Sequence, residues 1–278
     1  MFSVVLPVYN GEKWIEQTIR SIQNQTHENF ECIVVCNGCT DQSLDVIKEA
    51  IKNDKRFCEY SIGIANKANA LNFAVTRARG SWIAPIDADD VWQRNKLEVQ
   101  KEYIRDNPSL DVVGTQIRCF AEGEHSTTIY PGDWLPVSHA DIITYLQEGK
   151  NPVAFPTVAY RKDIHLEGVG FYNTTHFVLE DYEFWQRCRN LGCCFANTTE
   201  KLVDYRLHPG HEKDDSLVVA RQYIAKQIVD AMFVDVSEDH IPEEWGLIGH
   251  LRGFDLTFPR DQSCTPTNSN DKSRGGAK

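Results

Sequence analysis

The sequence has no hydrophobic run long enough to cross a membrane. A membrane helix needs about 20 consecutive apolar residues, and the first apolar run, residues 2–8, is far shorter. That run also lacks a basic flank and a small-residue cleavage site, so we predict no signal peptide. We therefore expect a cytoplasmic protein without a transmembrane segment, and we leave open a peripheral contact with a membrane.

Basic residues are scarce relative to acidic ones. The chain has 29 Lys and Arg against 40 Asp and Glu, which gives a formal net charge of −11 at pH 7. An acidic surface disfavours nonspecific binding to nucleic acid and simple electrostatic docking on anionic lipid. It is compatible with a bound nucleotide, because a metal ion can bridge protein carboxylates and phosphate. Nucleic acid is therefore not an expected partner.

Several phosphate and metal motifs are missing. No GxGxxG follows a strand-like segment, which argues against a dinucleotide dehydrogenase, and the histidines form no HExxH motif. Cys36 and Cys39 have CxxC spacing, but no second pair follows at the spacing of a zinc site. Nine scattered cysteines in a chain of 278 residues favour reduced thiols in a cytosol-like compartment.

Strand-like and helix-like segments alternate over the first 120 residues. Strands are predicted near residues 2–8, 30–36, 60–62 and 82–86, and helices near 15–22, 44–51 and 68–78. We expect Thr40 or Asp41 to cap the second helix and Gly80 to close the third. This alternation predicts a doubly wound, mostly parallel α/β sheet, with its ligand beyond the carboxyl ends of the strands.

The second half of the sequence is less regular. Ser138 and Asp141 form a capping-box pattern ahead of one helix, and residues 181–191 predict another that ends at Gly192. A longer amphipathic helix is predicted at 217–233.

Three carboxylates fall within four residues directly after the fourth strand-like segment. Asp87, Asp89 and Asp90 would repel one another at the end of a strand unless a cation neutralised them. Hard divalent cations take such oxygen ligands and commonly share them with substrate phosphates. The alternative interpretation is an acidic turn in which Asp90 caps the next helix.

Two later segments carry further candidate groups. Glu180 and Asp181 open a predicted helix, where carboxylates interact favourably with the helix dipole or accept a proton as a general base. Arg206 and His208 are suited to meeting a diphosphate or completing a metal shell, although each alone is more typical of a surface segment.

Taken in order, these segments resemble the family 2 glycosyltransferases, which have the GT-A fold. The opening SVVLPVYNG is followed by NQT, NGCTD, ALN and ARG, at residues 3–11, 24–26, 37–41, 70–72 and 78–80. Residues 87–90 then match the DxD region of the family, 180–185 its ED motif and 205–208 its closing motif. The resemblance extends from about residue 2 to about residue 215.

The resemblance implies a donor site at the carboxyl edge of the sheet. The family usually has an Asp that recognises uracil where this chain has Cys36, and a thiol is a weak hydrogen-bond partner; a UDP-sugar remains the favoured donor. Lys67 lies where the family often has a basic residue near the diphosphate. The residues placed around the nucleotide and its diphosphate are Pro7, Tyr9, Asn10, Cys36, Asn37, Lys67, Asp87 and Ala88.

The resemblance also implies a metal and a catalytic base. Asp89, with Asp87 and His208, would hold Mn²⁺ or Mg²⁺, and Asp181 would be the base with Glu180 beside it. The expected reaction is inverting transfer of one sugar to a hydroxyl of a glycan, lipid-linked or protein-linked acceptor. Two alternatives stay open: an inactive glycan- or nucleotide-binding protein on the same fold, and a sugar-nucleotide pyrophosphorylase.

The expected organisation follows from these roles. Residues 1–120 would form the nucleotide-sugar-binding half and residues 121–220 the acceptor and catalytic-base half of one GT-A domain. Residues 221–260 would form a C-terminal helical extension. Residues 261–278 have almost no apolar side chains and predict a disordered tail.

Overall fold

A computed structural model describes residues 1–121, 135–175 and 179–207. The strands are β1 (Phe2–Val8), β2 (Phe30–Asn37), β3 (Phe57–Ile62), β4 (Trp82–Pro85), β5 (Val91–Trp92), β6 (Val112–Ala121), β7 (Ala159–Arg161) and β8 (Phe195–Leu207). The α-helices are α1 (Ile15–Gln23), α2 (Ser43–Ile51), α3 (Lys67–Arg77), α4 (Lys96–Asp106), α5 (His139–Gln147) and α6 (Glu180–Asn190). The strands form one sheet in the order β3-β2-β1-β4-β7-β6-β8-β5.

The first half of the sheet is parallel, as predicted. β1 pairs in parallel with β2 and β4, and β2 pairs in parallel with β3. Every residue of β1 and β2 is buried, because helices cover both faces of a doubly wound sheet. Val5 packs into the apolar cluster on one face, whereas Val4 and Leu6 pack into the cluster on the other.

The second half of the sheet is mixed. β7 pairs antiparallel with both β4 and β6, β8 runs parallel to β6, and β5 pairs antiparallel with β8. Phe120 of β6 lies beside Arg206 near the end of β8. This arrangement brings the end of the long strand β8 to the segment that follows β4.

Two predicted helix ends are wrong. The N-cap of α2 is Gln42, which makes no side-chain cap bond; Asp41, one residue earlier, accepts a hydrogen bond from the Ser43 N–H at 3.0 Å. Helix α3 ends at Arg77 with Ala78 already extended, so Gly80 lies outside its cap. A Cβ at Gly80 would lie 2.8 Å from backbone atoms at the start of β1, so glycine is needed there for close packing.

The later helices agree with the predicted patterns. The Ser138 side chain caps α5 by accepting a hydrogen bond from the Asp141 N–H, and Gly192, with φ of 74°, follows the end of α6. The predicted helix at 217–233, the tail at 261–278 and His208 lie outside the described residues. None of the helices within the described ranges is long and apolar enough to cross a membrane.

The cysteines follow the expected state at seven positions. Cys32, Cys36, Cys39, Cys58, Cys119, Cys188 and Cys193 are free thiols. Cys194 is disulfide-bonded, so the expectation of reduced thiols throughout is wrong at that residue.

Candidate active site

Lys67 joins two of the predicted carboxylate motifs. Its Nζ lies 2.7 Å from Asp87 Oδ1 and 3.0 Å from Glu180 Oε1. The same ammonium lies 4.1 Å from the centre of the Phe155 ring. Burial opposes the charge, but the neighbouring carboxylates outweigh it and raise the pKa of Lys67 well above its ordinary value. The structure therefore brings together three residues that are separated widely in sequence.

Asp87 lies in a crowded acidic environment at the end of β4. Burial raises its pKa first, and the negative charges of Asp89 and Glu180 raise it further, while Lys67 acts in the opposite direction. About a quarter of the Asp87 side chain remains exposed to solvent. A cation placed against this cluster would relieve the repulsion between its carboxylates.

Asp90 has a structural position. Its side chain is fully buried, and Oδ1 accepts a hydrogen bond from the Arg206 N–H at 2.9 Å. Burial raises the pKa of this carboxyl well above its usual range. The alternative in which Asp90 caps the next helix is wrong, because α4 begins at Lys96 with Asn95 as its N-cap.

The backbone around Asp89 is clamped by α1 and β8. Thr18 Oγ1 donates to a carbonyl on each side of this residue, with both the Ala88 and the Asp90 oxygen at 2.9 Å. Arg206 Nε donates to the Asp89 carbonyl at 2.8 Å, and Arg206 Nη2 donates to Gln17 Oε1 at 2.6 Å. Arg206 is buried in these contacts. It therefore holds the backbone of the acidic segment, residues 87–90, in place.

The acidic segment suits a divalent ion that is shared with a ligand. In the part of the chain that the structure describes, no three His, Cys, Asp or Glu side chains are placed to hold a metal by themselves. Asp87 and Asp89 are half-buried and supply hard carboxylate oxygens. Mg²⁺ is commonly held by one or two carboxylates together with substrate phosphates. These two residues fit that pattern, while His208 lies outside the described residues.

Glu180 and Asp181 have different surroundings at the start of α6. Glu180 is buried and paired with Lys67. Burial and then the charge of Glu180 raise the pKa of Asp181 to about 6, against the opposing influence of Lys67 and of a hydrogen bond from Asn151. A carboxylate whose pKa lies close to the working pH is suited to general-base catalysis.

The predicted nucleotide residues lie at the ends of β1 and β2. Tyr9 follows β1 and is 57% exposed. Asn10 has φ of 49°, and its Oδ1 accepts a hydrogen bond from the Thr40 N–H at 2.8 Å. Asn37 Nδ2 donates to the Val8 carbonyl at 2.8 Å. These two asparagines tie together the strand ends beside the exposed tyrosine.

Two predicted residues of this group are turned away from solvent. Cys36 is buried in the apolar cluster under the sheet, and burial followed by the neighbouring Cys39 raises the pKa of its thiol to about 12. Pro7 is buried within β1. The Cys36 side chain therefore packs as a core residue.

Sequence reasoning missed four supporting residues. Thr18 carried a signal, because it is a polar residue between the apolar positions Ile15, Ile19 and Ile22 on the buried face of α1. The polar side chain on that face bonds the acidic segment. Gln17, Asn151 and Phe155 had no local signal, since their neighbours in the site are distant in sequence.

A profile described as Glycosyl transferase family 2 matches residues 3–168, well over half of the sequence. The chain belongs to glycosyl transferase family 2. The matched range includes Asp87 and Asp89 and ends before Glu180. Family membership agrees with the resemblance carried by the ordered motifs.

Two similar proteins are also glycosyltransferases by name. The O-antigen biosynthesis glycosyltransferase WbnJ of Escherichia coli is 35% identical over 216 residues, which cover 75% of this chain and 80% of that protein. An uncharacterized glycosyltransferase of Haemophilus influenzae is 34% identical over 217 residues, which cover 75% of this chain and 66% of that protein. The chain is therefore a glycosyltransferase. It spans about two thirds of the length of the Haemophilus influenzae relative.

Solved structures confirm the fold. S. aureus TarS in complex with UDP-GlcNAc superposes with a TM-score of 0.66 at 20% identity, covering 85% of this chain and 68% of that one. The mannosyltransferase PcManGT from Pyrobaculum calidifontis, in complex with GDP-Man and Mn²⁺, gives a TM-score of 0.61 at 19% identity, covering 90% and 68%. The GT-A fold expected from the resemblance is confirmed.

Proposed function

We propose that this glycosyltransferase moves a single sugar from a nucleoside diphosphate sugar to a hydroxyl of a glycan, lipid-linked or protein-linked acceptor, with inversion at the anomeric carbon. The observation that carries the proposal is the ion-paired row of Asp87, Lys67 and Glu180, which has Asp181 at its end. The row supports the proposal because it sets an ammonium suited to a diphosphate near Asp181, whose pKa is raised to about 6.

Lys67 and the acidic segment have complementary roles in donor binding. The Lys67 ammonium neutralises Asp87 and Glu180 in the protein alone, and it is positioned to meet the negative charge of a diphosphate. Asp87 and Asp89 would hold Mn²⁺ or Mg²⁺, which when bound stabilises negative charge on the departing diphosphate. Thr18 and Arg206 keep the backbone of that segment in place.

Asp181 serves the acceptor. As the acceptor oxygen attacks the anomeric carbon, the bond from that carbon to the diphosphate oxygen breaks on the opposite face. Asp181 takes the proton that the hydroxyl loses, which lowers the barrier for an otherwise poor nucleophile. Glu180 is committed to Lys67, so Asp181 is the better candidate for the base.

The nucleotide is proposed to be uridine diphosphate. TarS was solved with UDP-GlcNAc and PcManGT with GDP-Man, so related folds accept more than one base. The buried Cys36 offers no carboxylate to the base, and the preference for UDP rests on the resemblance. A cytoplasmic location likewise stays a prediction.

One experiment tests the donor site. Purified protein is titrated with UDP by calorimetry, with and without Mn²⁺, and a panel of UDP- and GDP-sugars is screened for hydrolysis. We expect Mn²⁺-dependent UDP binding that Asp89→Ala removes, while Asp106→Ala, at the exposed last residue of α4, keeps the wild-type affinity. Unchanged UDP affinity in Asp89→Ala would show that the metal assignment is wrong. Binding of UDP without hydrolysis of any donor would favour the inactive binding protein.

A further inference from the structure

Asn151 contacts the proposed base from outside its helix. Its Nδ2 donates a hydrogen bond to Asp181 Oδ2 at 3.1 Å, and its Oδ1 accepts one from the Val153 N–H at 3.4 Å. The second bond orients the amide so that its donor side faces the carboxylate. Asn151 is half-buried, so the contact is partly shielded from water.

The segment that carries Asn151 is held firmly against the sheet. Asn197 of β8 donates to the Pro152 carbonyl at 2.9 Å, and Val153 is fully buried. Phe155, four residues beyond Asn151, packs against the Lys67 ammonium. This segment, residues 151–155, therefore supports both the base and the lysine of the donor site.

Three titratable groups on different elements interact with Asp181. Glu180 precedes it on α6 and raises its pKa, while Lys67 at the start of α3 lowers it. Tyr172, buried in the segment before α6, interacts electrostatically with the same carboxylate. Two neutral donors complete this group, the Tyr182 backbone N–H and the Asn151 amide, and a hydrogen bond to a carboxylate is strongest when the carboxylate is ionised.

We infer that Asn151 is a positioning residue for the catalytic base, holding Asp181 Oδ2 and so fixing the orientation in which the carboxylate takes the acceptor proton. The inference rests on the proposed function, because it assigns a purpose to the orientation of Asp181. It goes further by naming a residue on a separate loop whose loss changes the pH range of the reaction.

The first test needs no substrate. Asp181 is titrated by ¹³C NMR of its side-chain carboxyl in the wild type and in Asn151→Ala. We expect its pKa to rise by about one unit in the variant, because the ionised form loses a charge-assisted hydrogen bond. Asn107→Ala is the matched control, since Asn107 is also half-buried and loses a bond to the Tyr103 carbonyl far from the site. An unchanged Asp181 titration in Asn151→Ala would overturn the inference.

The second test is the pH profile for hydrolysis of UDP-GlcNAc, or of the best donor in the panel, by the protein. With a pKa moved from about 6 to about 7, the rate should fall about eightfold at pH 5.5 and recover to near wild type above pH 8. A merely structural role would reduce the rate by the same factor at every pH. Asn151→Ser provides a second variant if Asn151→Ala does not fold, with the same expected direction.

Asp181→Asn separates this inference from the proposed function. If Asp181→Asn retains hydrolysis and transfer, the base assignment fails, and Asn151 with it. If Asp181→Asn is inactive while Asn151→Ala shows neither a shifted titration nor a shifted profile, the inference about Asn151 fails and the proposed function stands.

Discussion

Glu180 and Asp181 are adjacent in sequence, yet their surroundings differ. Glu180 is buried against the Lys67 ammonium, which lies 3.0 Å away, whereas Asp181 receives a neutral amide hydrogen bond from Asn151. This difference supports the proposal that Glu180 balances the charge of Lys67 and that Asp181 takes the proton.

At the residue scale, Asp181→Asn should remove transfer and spare donor binding. Asn has negligible basicity but similar size, so we expect the transfer rate to fall at least ~100-fold. UDP affinity measured by calorimetry should stay within error of the wild type. Glu180→Gln is the neighbouring comparison. It should weaken UDP binding, because Lys67 loses the ionised partner that holds its ammonium in position. Loss of transfer in Glu180→Gln but not in Asp181→Asn would reverse the two roles.

At the element scale, the four strands of the parallel half of the sheet were predictable and the strands of the mixed half were not. β1 and β2 are apolar runs buried on both faces, a pattern that local sequence reveals. β7 is only three residues long and β5 only two, so neither has a period to detect. They are strands because β4, β6 and β8 provide partners that lie far away in sequence.

The same limit applies to the site. The motifs that include Asp87, Asp89 and Asp181 were evident, because their chemistry lies in consecutive residues. Asn151 and Arg206 contribute through contacts with elements 30 and 117 residues away. Arg206 was expected to meet a diphosphate, and its buried contacts with the acidic segment could not be read from neighbouring residues.

The clamp between α1 and the acidic segment leads to a second prediction. Thr18→Val keeps the shape but removes the single hydroxyl proton that the Ala88 and Asp90 carbonyls share, which should lower the free energy of unfolding by about 1–3 kcal/mol. It should also weaken Mn²⁺-dependent UDP binding, since the backbone of Asp89 is less fixed. Calorimetric melting and UDP titration measure the two effects.

Thr144→Val is the matched control for Thr18. Thr144 is exposed on α5, and its hydroxyl bonds a carbonyl of its own helix, so both stability and UDP affinity should stay near the wild type. A Thr18→Val protein that is less stable but binds UDP normally would restrict the clamp to a structural role.

At the scale of the whole molecule, the site lies where the two halves of the sheet meet. The parallel half ends in the acidic segment after β4, while the mixed half contributes Arg206 from β8. The predicted boundary at residues 120 and 121 falls at the end of β6, a strand of the shared sheet. Residues from both halves of the sheet therefore contribute to the candidate site.

The buried His165 and the half-buried Asp181 make opposite contributions to the pH dependence of stability. Burial lowers the pKa of His165 to about 4 from 6.5, opposed by its hydrogen bond with Gly170. The unfolded chain therefore binds one more proton than the folded chain between about pH 6.5 and 4, and stability falls as the pH falls through that range. Asp181 has its pKa raised to about 6 from 3.8, so here the folded chain binds the extra proton and stability rises on acidification.

The third prediction is that Asp181→Asn is more stable than the wild type at neutral pH and loses that advantage in acid. At pH 7 the wild type holds an ionised Asp181 in an unfavourable site, at a cost of at most about 3 kcal/mol for the shift from 3.8 to about 6, and less where solvent reaches the carboxylate. Between pH 6 and 4 the wild type protonates Asp181 and recovers this energy.

In Asp181→Asn, position 181 takes up no proton in acid, so the loss of stability that accompanies protonation of His165 is not offset there. Its free energy of unfolding should therefore fall by up to about 1.4 kcal/mol per pH unit below pH 6.5 from this group, while the wild type changes less. Urea unfolding of both proteins at half-unit steps from pH 4.5 to 7.5 measures the difference, in which all unchanged groups cancel. Asp106→Asn, at an exposed residue, should run parallel to the wild type over this range. A difference between Asp181→Asn and the wild type that does not depend on pH would mean that Asp181 titrates in the folded protein as it does in the unfolded chain, and the physical basis for choosing it as the base would be lost.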